Sequence, residues 1–280
     1  MPEDERGNGV PSGAPAEADV APTDPRTVRF LRLTTSIDVY GNVPAEVRAP
    51  ALVERELGDA IGRPVQTTMK VIWPRESMAG IIRRWMAKYQ PDLVLIVVTP
   101  FWFAFESVPL KLDRATGRGG RLSGWLGKVG RRAGSKRKLA WNPLFRGLRN
   151  VAHRTVGGST YAEPELVIAE VEKYVRLVRE LRPDVALAVY GLPASDFSGS
   201  GINRRVEWAR ARRLHVYRAL TAFCAAEGIP CQAGDEEVES VEWASYREAD
   251  GIHINEAGHR RLAGHQLPVI LQAWRQWHGE

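Results

Sequence analysis

A carboxylate, an imidazole and a hydroxyl stand in this chain at positions where together they could carry out acyl transfer. Asp250 precedes His253 by three residues in the run Asp250-Gly-Ile-His253-Ile-Asn255. One short turn can hold the imidazole and also supply the carboxylate that orients it. The third member would be a nucleophilic hydroxyl, and Ser36 follows the strand-like residues 28–33. In such a set the imidazole takes the hydroxyl proton as the oxygen attacks a carbonyl, then returns it to the leaving group. The chemistry therefore depends on Ser36 and His253 meeting across more than two hundred residues. Other titratable residues are less suggestive. His259 and His265 are six apart and do not share a helix face, so no metal pair is expected. His153 and His215 have no evident partner and read as surface or helix residues. Asp38 reads as the cap of the next helix.

The surrounding pattern alternates strand and helix. Residues 28–33, 65–72, 92–98 and 185–190 read as strands, with 229–232 as a short fifth. The run 93–98 is apolar throughout, as a central parallel strand is. Residues 45–60, 77–89, 163–181 and 203–227 read as helices from their 3.6-residue periodicity. A final helix, capped by Asn255, is expected to start at Glu256 and to be interrupted at Pro268. This alternation implies a parallel sheet with helices on both faces and right-handed crossovers. Ligands bind such sheets at the carboxyl ends of the strands. Ser36 lies just past the first strand and His253 just before the last helix, so both fit that rim.

At 280 residues and 44% hydrophobic, the chain can bury one sizeable α/β core. Residues 1–26 are rich in Pro, Gly, Ala and acid and read as a disordered tail. No apolar run is long enough to span a bilayer. Cys224 and Cys231 are too few for a disulfide framework and read as core fillers, which makes a cytoplasmic setting the expectation. The net charge of +6 is unevenly placed. Residues 111–150 hold twelve Lys or Arg against the single acid Asp113, a local +11, leaving the remainder near −5.

That basic stretch belongs to an insertion at about 101–160, too long for an ordinary connection. It opens on Phe101-Trp-Phe-Ala-Phe105, where Phe101, Trp102 and Phe105 either line a substrate pocket or anchor the insertion to the core. Two short amphipathic patterns follow, around Trp125 and around Trp141, and read as a helical cap. Interleaved Trp, Leu, Lys and Arg suit a membrane surface. A phosphate-bearing acyl substrate and a plain solvated loop are the other readings; nucleic acid is not expected, because no recognised module surrounds the segment. Residues 195–201 read as a second rim loop. Arg204, Arg205, Arg210, Arg212 and Arg213 read as a solvated helix face.

The residues around Ser36 and His253 resemble the SGNH (GDSL) hydrolases. Leu33-Thr-Thr-Ser36-Ile-Asp-Val-Tyr-Gly41 is similar to their first block, and Asp250-Gly-Ile-His253-Ile-Asn255, continued by Gly258-His-Arg-Arg-Leu-Ala263, to their last. The resemblance runs from about residue 28 to the C-terminus, outside the insertion. It implies a three-layer α/β/α flavodoxin-like sandwich with a parallel sheet. It also implies ester or thioester hydrolysis through an acyl-Ser36 intermediate, with His253 as base and Asp250 as its orienter, and no cofactor or metal. Three departures touch the oxyanion hole. Thr34 and Thr35 replace the Gly-Asp pair. Arg75 stands near the usual second-block Gly, and Thr99-Pro-Phe101 replaces the third-block Gly-x-Asn. The backbone amide of Ser36, with a donor from Arg75, is the expected oxyanion hole. The expected partner is a small acyl ester or thioester, with peripheral membrane contact through the basic cap. Two further outcomes fit the same residues: O-acyl transfer, and an inactive binding protein engaging a membrane or an anionic partner.

Overall fold

The computed structural model describes residues 24–39, 42–106, 111, 158–193, 205–233, 245–248 and 253–279. The expected tail up to residue 23, most of the insertion with its basic stretch, the 195–201 loop and Asp250 lie outside the described residues.

Five strands form one parallel sheet: β1 (Val28–Thr34), β2 (Val65–Val71), β3 (Leu93–Val98), β4 (Ala186–Gly191) and β5 (Cys231–Ala233), in the order β2-β1-β3-β4-β5. The register sets Phe30 beside Leu93, and Leu93 beside Ala186. β3 and β4 are buried along their whole length, because helices cover both of their faces. β2 is an edge strand, and Glu54 accepts from its Thr67 N–H at 2.8 Å, which blunts that edge.

Alternate side chains of β1 point to opposite layers. Val28 and Phe30 pack under α2 (Ala49–Ile61) and the C-terminal α6 (Glu256–His278). Leu31 and Leu33 pack under α3 (Met78–Tyr89), α4 (Pro164–Leu181) and α5 (Val206–Ala226). The result is the expected three-layer α/β/α sandwich. α2 stops at Gly62, whose φ of 64° is the left-handed geometry that glycine adopts without a Cβ penalty.

Two expectations are corrected. α6 runs unbroken through Pro268 to His278. A proline inside a helix costs about 3 kcal/mol. Here the following turns bury Val269, Ile270, Ala273 and Trp274, and that burial outweighs the lost hydrogen bond. The arginines of α5 are not all solvated either. Arg213 is buried, and Arg212 donates to Phe103 O at 2.6 Å and to Glu163 at 2.8 Å while lying over the Trp208 ring. Arg212 thus straps the two stems of the insertion. The stems also meet directly, with Ala162 N–H donating to Trp102 O at 2.8 Å.

Candidate active site

In the strand order found here, the connections from β1 and β3 run to opposite sides of the sheet. The crevice beyond their carboxyl ends is where such sheets bind ligands. Ser36 lies at that point. It is the first residue of the short helix α1 (Ser36–Val39), two residues past the end of β1, and is half-buried. As the first helical residue, its N–H has no acceptor within the helix.

Several side chains hold this turn. Asp38 is buried, and instead of capping the next helix it pairs with Arg32 of β1, whose Nη2 lies 2.8 Å from Oδ2. Thr34 Oγ1 donates to the same oxygen. The same Arg32 Nη2 donates to Gln266 Oε1 of α6 at 2.8 Å. Beyond α1, Arg48 donates to the carbonyls of Val39 and Val43 and gathers the following loop.

His253 is half-buried and belongs to a narrow hairpin. Arg247 and Ile254 form an antiparallel bridge, Glu248 N–H donates to His253 O at 2.8 Å, and Asn255 N–H donates to Tyr246 O at 2.8 Å. Asn255 then caps α6 as expected, accepting from Gly258 N–H at 2.9 Å. Gly258 is required here: a Cβ would stand 2.7 Å from Tyr246 O and 3.0 Å from the Ile254 Cβ.

The hairpin is clasped to the loop that follows Ser36. Glu248 accepts from Asn42 N–H at 2.7 Å and from Asn42 Nδ2 at 3.1 Å, a contact between residues 206 apart in sequence. His259, in the first turn of α6, is also near. Its Nδ1 accepts from Ala49 N–H at 3.2 Å, and the charges of Asp38, Arg48 and His253 all reach it. Burial pushes its pKa down to about 4, so it is a neutral structural imidazole. The segments carrying Ser36 and His253 are therefore brought together, while Asp250 falls outside the described residues.

The other expected site residues fall as follows. Arg75 is exposed, but its backbone N–H already donates to Tyr174 Oη at 3.1 Å. Tyr174 Oη lies 2.9 Å from Trp73 O, to which it donates, and burial raises its pKa well above the usual phenol range. Residues 73–75 are thus pinned to α4. Thr99 accepts from Phe101 N–H and caps a single 3-10 turn, Pro100–Trp102. Trp102 is fully buried within the core, and Phe105, also buried, stacks on the half-buried Phe101 at 4.7 Å. These contacts are those of an anchor for the insertion. Among the described residues no group of three or more His, Cys, Asp or Glu could hold a metal. No helix among them is long and apolar enough to cross a membrane.

Asn42, Arg48, Glu248 and Tyr174 carry no sequence motif and were not singled out from sequence. Arg32 did leave a signal, as a charge in the middle of a β1 run otherwise apolar on that face, with Asp38 six residues on.

No family model and no curated protein sequence matches the chain. Solved structures do. TesA aligns with a TM-score of 0.51 at 16% identity, over 88% of this chain and 99% of that one. An acetylxylan esterase from Geobacillus stearothermophilus, in a catalytic-mutant form, aligns at 0.49 and 15% identity over 90% of this chain and 96% of its own. The psychrotrophic esterase EstA from Pseudoalteromonas sp. aligns at 0.47 and 10% identity over 90% and 99%. The likeness is one of fold. The likeness to TesA, with the parallel sheet in the order β2-β1-β3-β4-β5, gives the three-layer α/β/α fold expected from the SGNH (GDSL) resemblance.

Proposed function

We propose that this protein is a serine hydrolase that cleaves an ester or thioester, with Ser36 as nucleophile, His253 as general base and Asp250 as the carboxylate that orients it. The observation that carries the reading is the Asn42–Glu248 clasp, which joins the Ser36 turn to the His253 hairpin at the switch point of the sheet. Ser36 Oγ attacks the acyl carbonyl carbon as His253 accepts the hydroxyl proton. The tetrahedral oxyanion takes the Ser36 N–H. As the intermediate collapses, His253 returns the proton to the leaving alcohol or thiol, and the acyl group stays on Ser36. Water, deprotonated by His253, then releases the acid and restores the serine.

A second reading, a catalytically inactive binding protein that engages a membrane surface or an anionic partner, is favoured by one observation. Arg75 N–H, the expected second oxyanion donor, is already taken by Tyr174. Losing one such donor slows acyl transfer by about a hundredfold to a thousandfold. A slow hydrolase is the expected outcome, with transfer to another acceptor open to the same acyl-enzyme.

The test is labelling with a fluorophosphonate probe, comparing wild type with Ser36→Ala and His253→Ala. Labelling of wild type that disappears in Ser36→Ala and falls at least a hundredfold in His253→Ala is expected. Folded wild type that takes up no probe at any concentration sinks the hydrolase reading in favour of binding.

A further inference from the structure

A buried ion pair usually destabilises relative to packed apolar side chains of the same volume, because both charges lose their water. Arg32 and Asp38 form such a pair, at 0% and 1% exposure, and it is incompletely satisfied: Arg32 Nε and Nη1 and Asp38 Oδ1 have no hydrogen-bond partner among the described residues. An aliphatic pair would fill the space between β1 and α6 at lower cost. Asp38 lies two residues from Ser36 on the one-turn helix that carries it, and Arg32 lies in β1, four residues before Ser36.

A four-residue helix has little stability of its own, since its first hydrogen bond must offset the ordering of a whole turn. α1 therefore exists where its side chains hold it. Ile37 packs against the core on one side, but apolar contact is non-directional. The directional anchor is the Asp38 carboxylate, which receives Arg32 Nη2 and Thr34 Oγ1 from β1, while Gln266 of α6 fixes the same Arg32 nitrogen. Two separate elements of the fold thus determine the angle at which α1 leaves β1, and that angle aims Ser36.

We propose that Arg32 and Asp38 are positioning residues for the nucleophile, a role that rests on the hydrolase reading above. The pair is retained for the geometry of the Ser36 turn and not for stability. This separates two quantities that usually fall together. Replacing both charges removes the aim of Ser36 at little net cost in stability, because the relief of two buried charges offsets the partners lost by Gln266 and Thr34.

The experiment is the double substitution Arg32→Met with Asp38→Leu in the full-length chain, read in three ways. Thermal midpoint reports the fold, the rate of fluorophosphonate labelling reports Ser36, and hydrogen–deuterium exchange over residues 35–39 reports α1. The expected result is a midpoint within a few degrees of wild type, labelling slowed at least tenfold, and lost protection confined to residues 35–39. With p-nitrophenyl acetate, kcat falls by the same factor while KM is unchanged, which a general loss of packing would not produce. Labelling within twofold of wild type together with unchanged exchange overturns the proposal. Should the double variant fail to fold, Asp38→Asn decides in its place: slowed labelling with exchange raised only over residues 35–39 supports the role, and wild-type labelling overturns it. If wild type itself does not label, the hydrolase reading has failed, and the exchange arm alone still decides whether the pair sets α1.

Discussion

His253 and His259 show how environment separates two like side chains six residues apart. His253 sits half-exposed on the rim, whereas His259, six residues on, is buried against Ala49 and stays neutral. The sign of its pH dependence follows. An unfolded chain binds a proton at this imidazole near pH 6.5, while the folded one does so only near pH 4. Stability from this group is thus complete above pH 6.5 and is lost as pH falls through about 4, by roughly 3 kcal/mol. Urea titration at steps between pH 7 and pH 4 should show this slope. His259→Gln, which can still accept from Ala49, should flatten it, and identical slopes in the two proteins would refute the assignment. The Ser36 and His253 substitutions make the complementary prediction, a loss of labelling at unchanged stability. His253 stood out in the sequence because an Asp-x-x-His run before a helix cap is a local pattern, and Ser36 only as the hydroxyl that follows the first strand; their catalytic roles belong to the proposal. Arg32 with Asp38 left only a faint signal, a charge within an apolar strand, and Glu248 with Asn42 left none. Each works only through a partner supplied by the fold, and no spacing rule links residues 206 apart.

At the scale of elements, the strands were the most readable part. The unbroken apolar run of β3 and the half-alternating β1 announce a central parallel strand and its neighbour, and only their ends shifted by a residue or two. Pro268 misled because local rules count the missing N–H but not the burial of the turns beyond it. The hairpin before α6 depends on one small residue. Gly258→Ala would drive a methyl into Tyr246 O, and the backbone there has little room to yield. We expect a loss of about 1–3 kcal/mol, seen as a lower thermal midpoint. Because the same hairpin carries His253, labelling of Ser36 should slow as well. A variant with full stability and full labelling would mean the hairpin tolerates displacement.

Across the whole molecule, the sheet behaves as a platform with one large interruption. The insertion leaves the core at Trp102 and returns at Ala162, and those residues are hydrogen-bonded to each other and strapped by Arg212. Replacing residues 107–157 with a short Gly-Ser linker should therefore leave the thermal midpoint of the core within a few degrees. A collapse of the fold would show that the insertion contributes to the core. This junction also bears on how such proteins diversify. Closing a loop becomes only slowly more costly as it lengthens, about 0.6 kcal/mol for each doubling. A platform whose entry and exit points are already tied together can accept a longer, shorter or differently charged segment without any retuning of its strands. The chemistry proposed at Ser36 and the choice of what approaches it could then be inherited, and altered, independently.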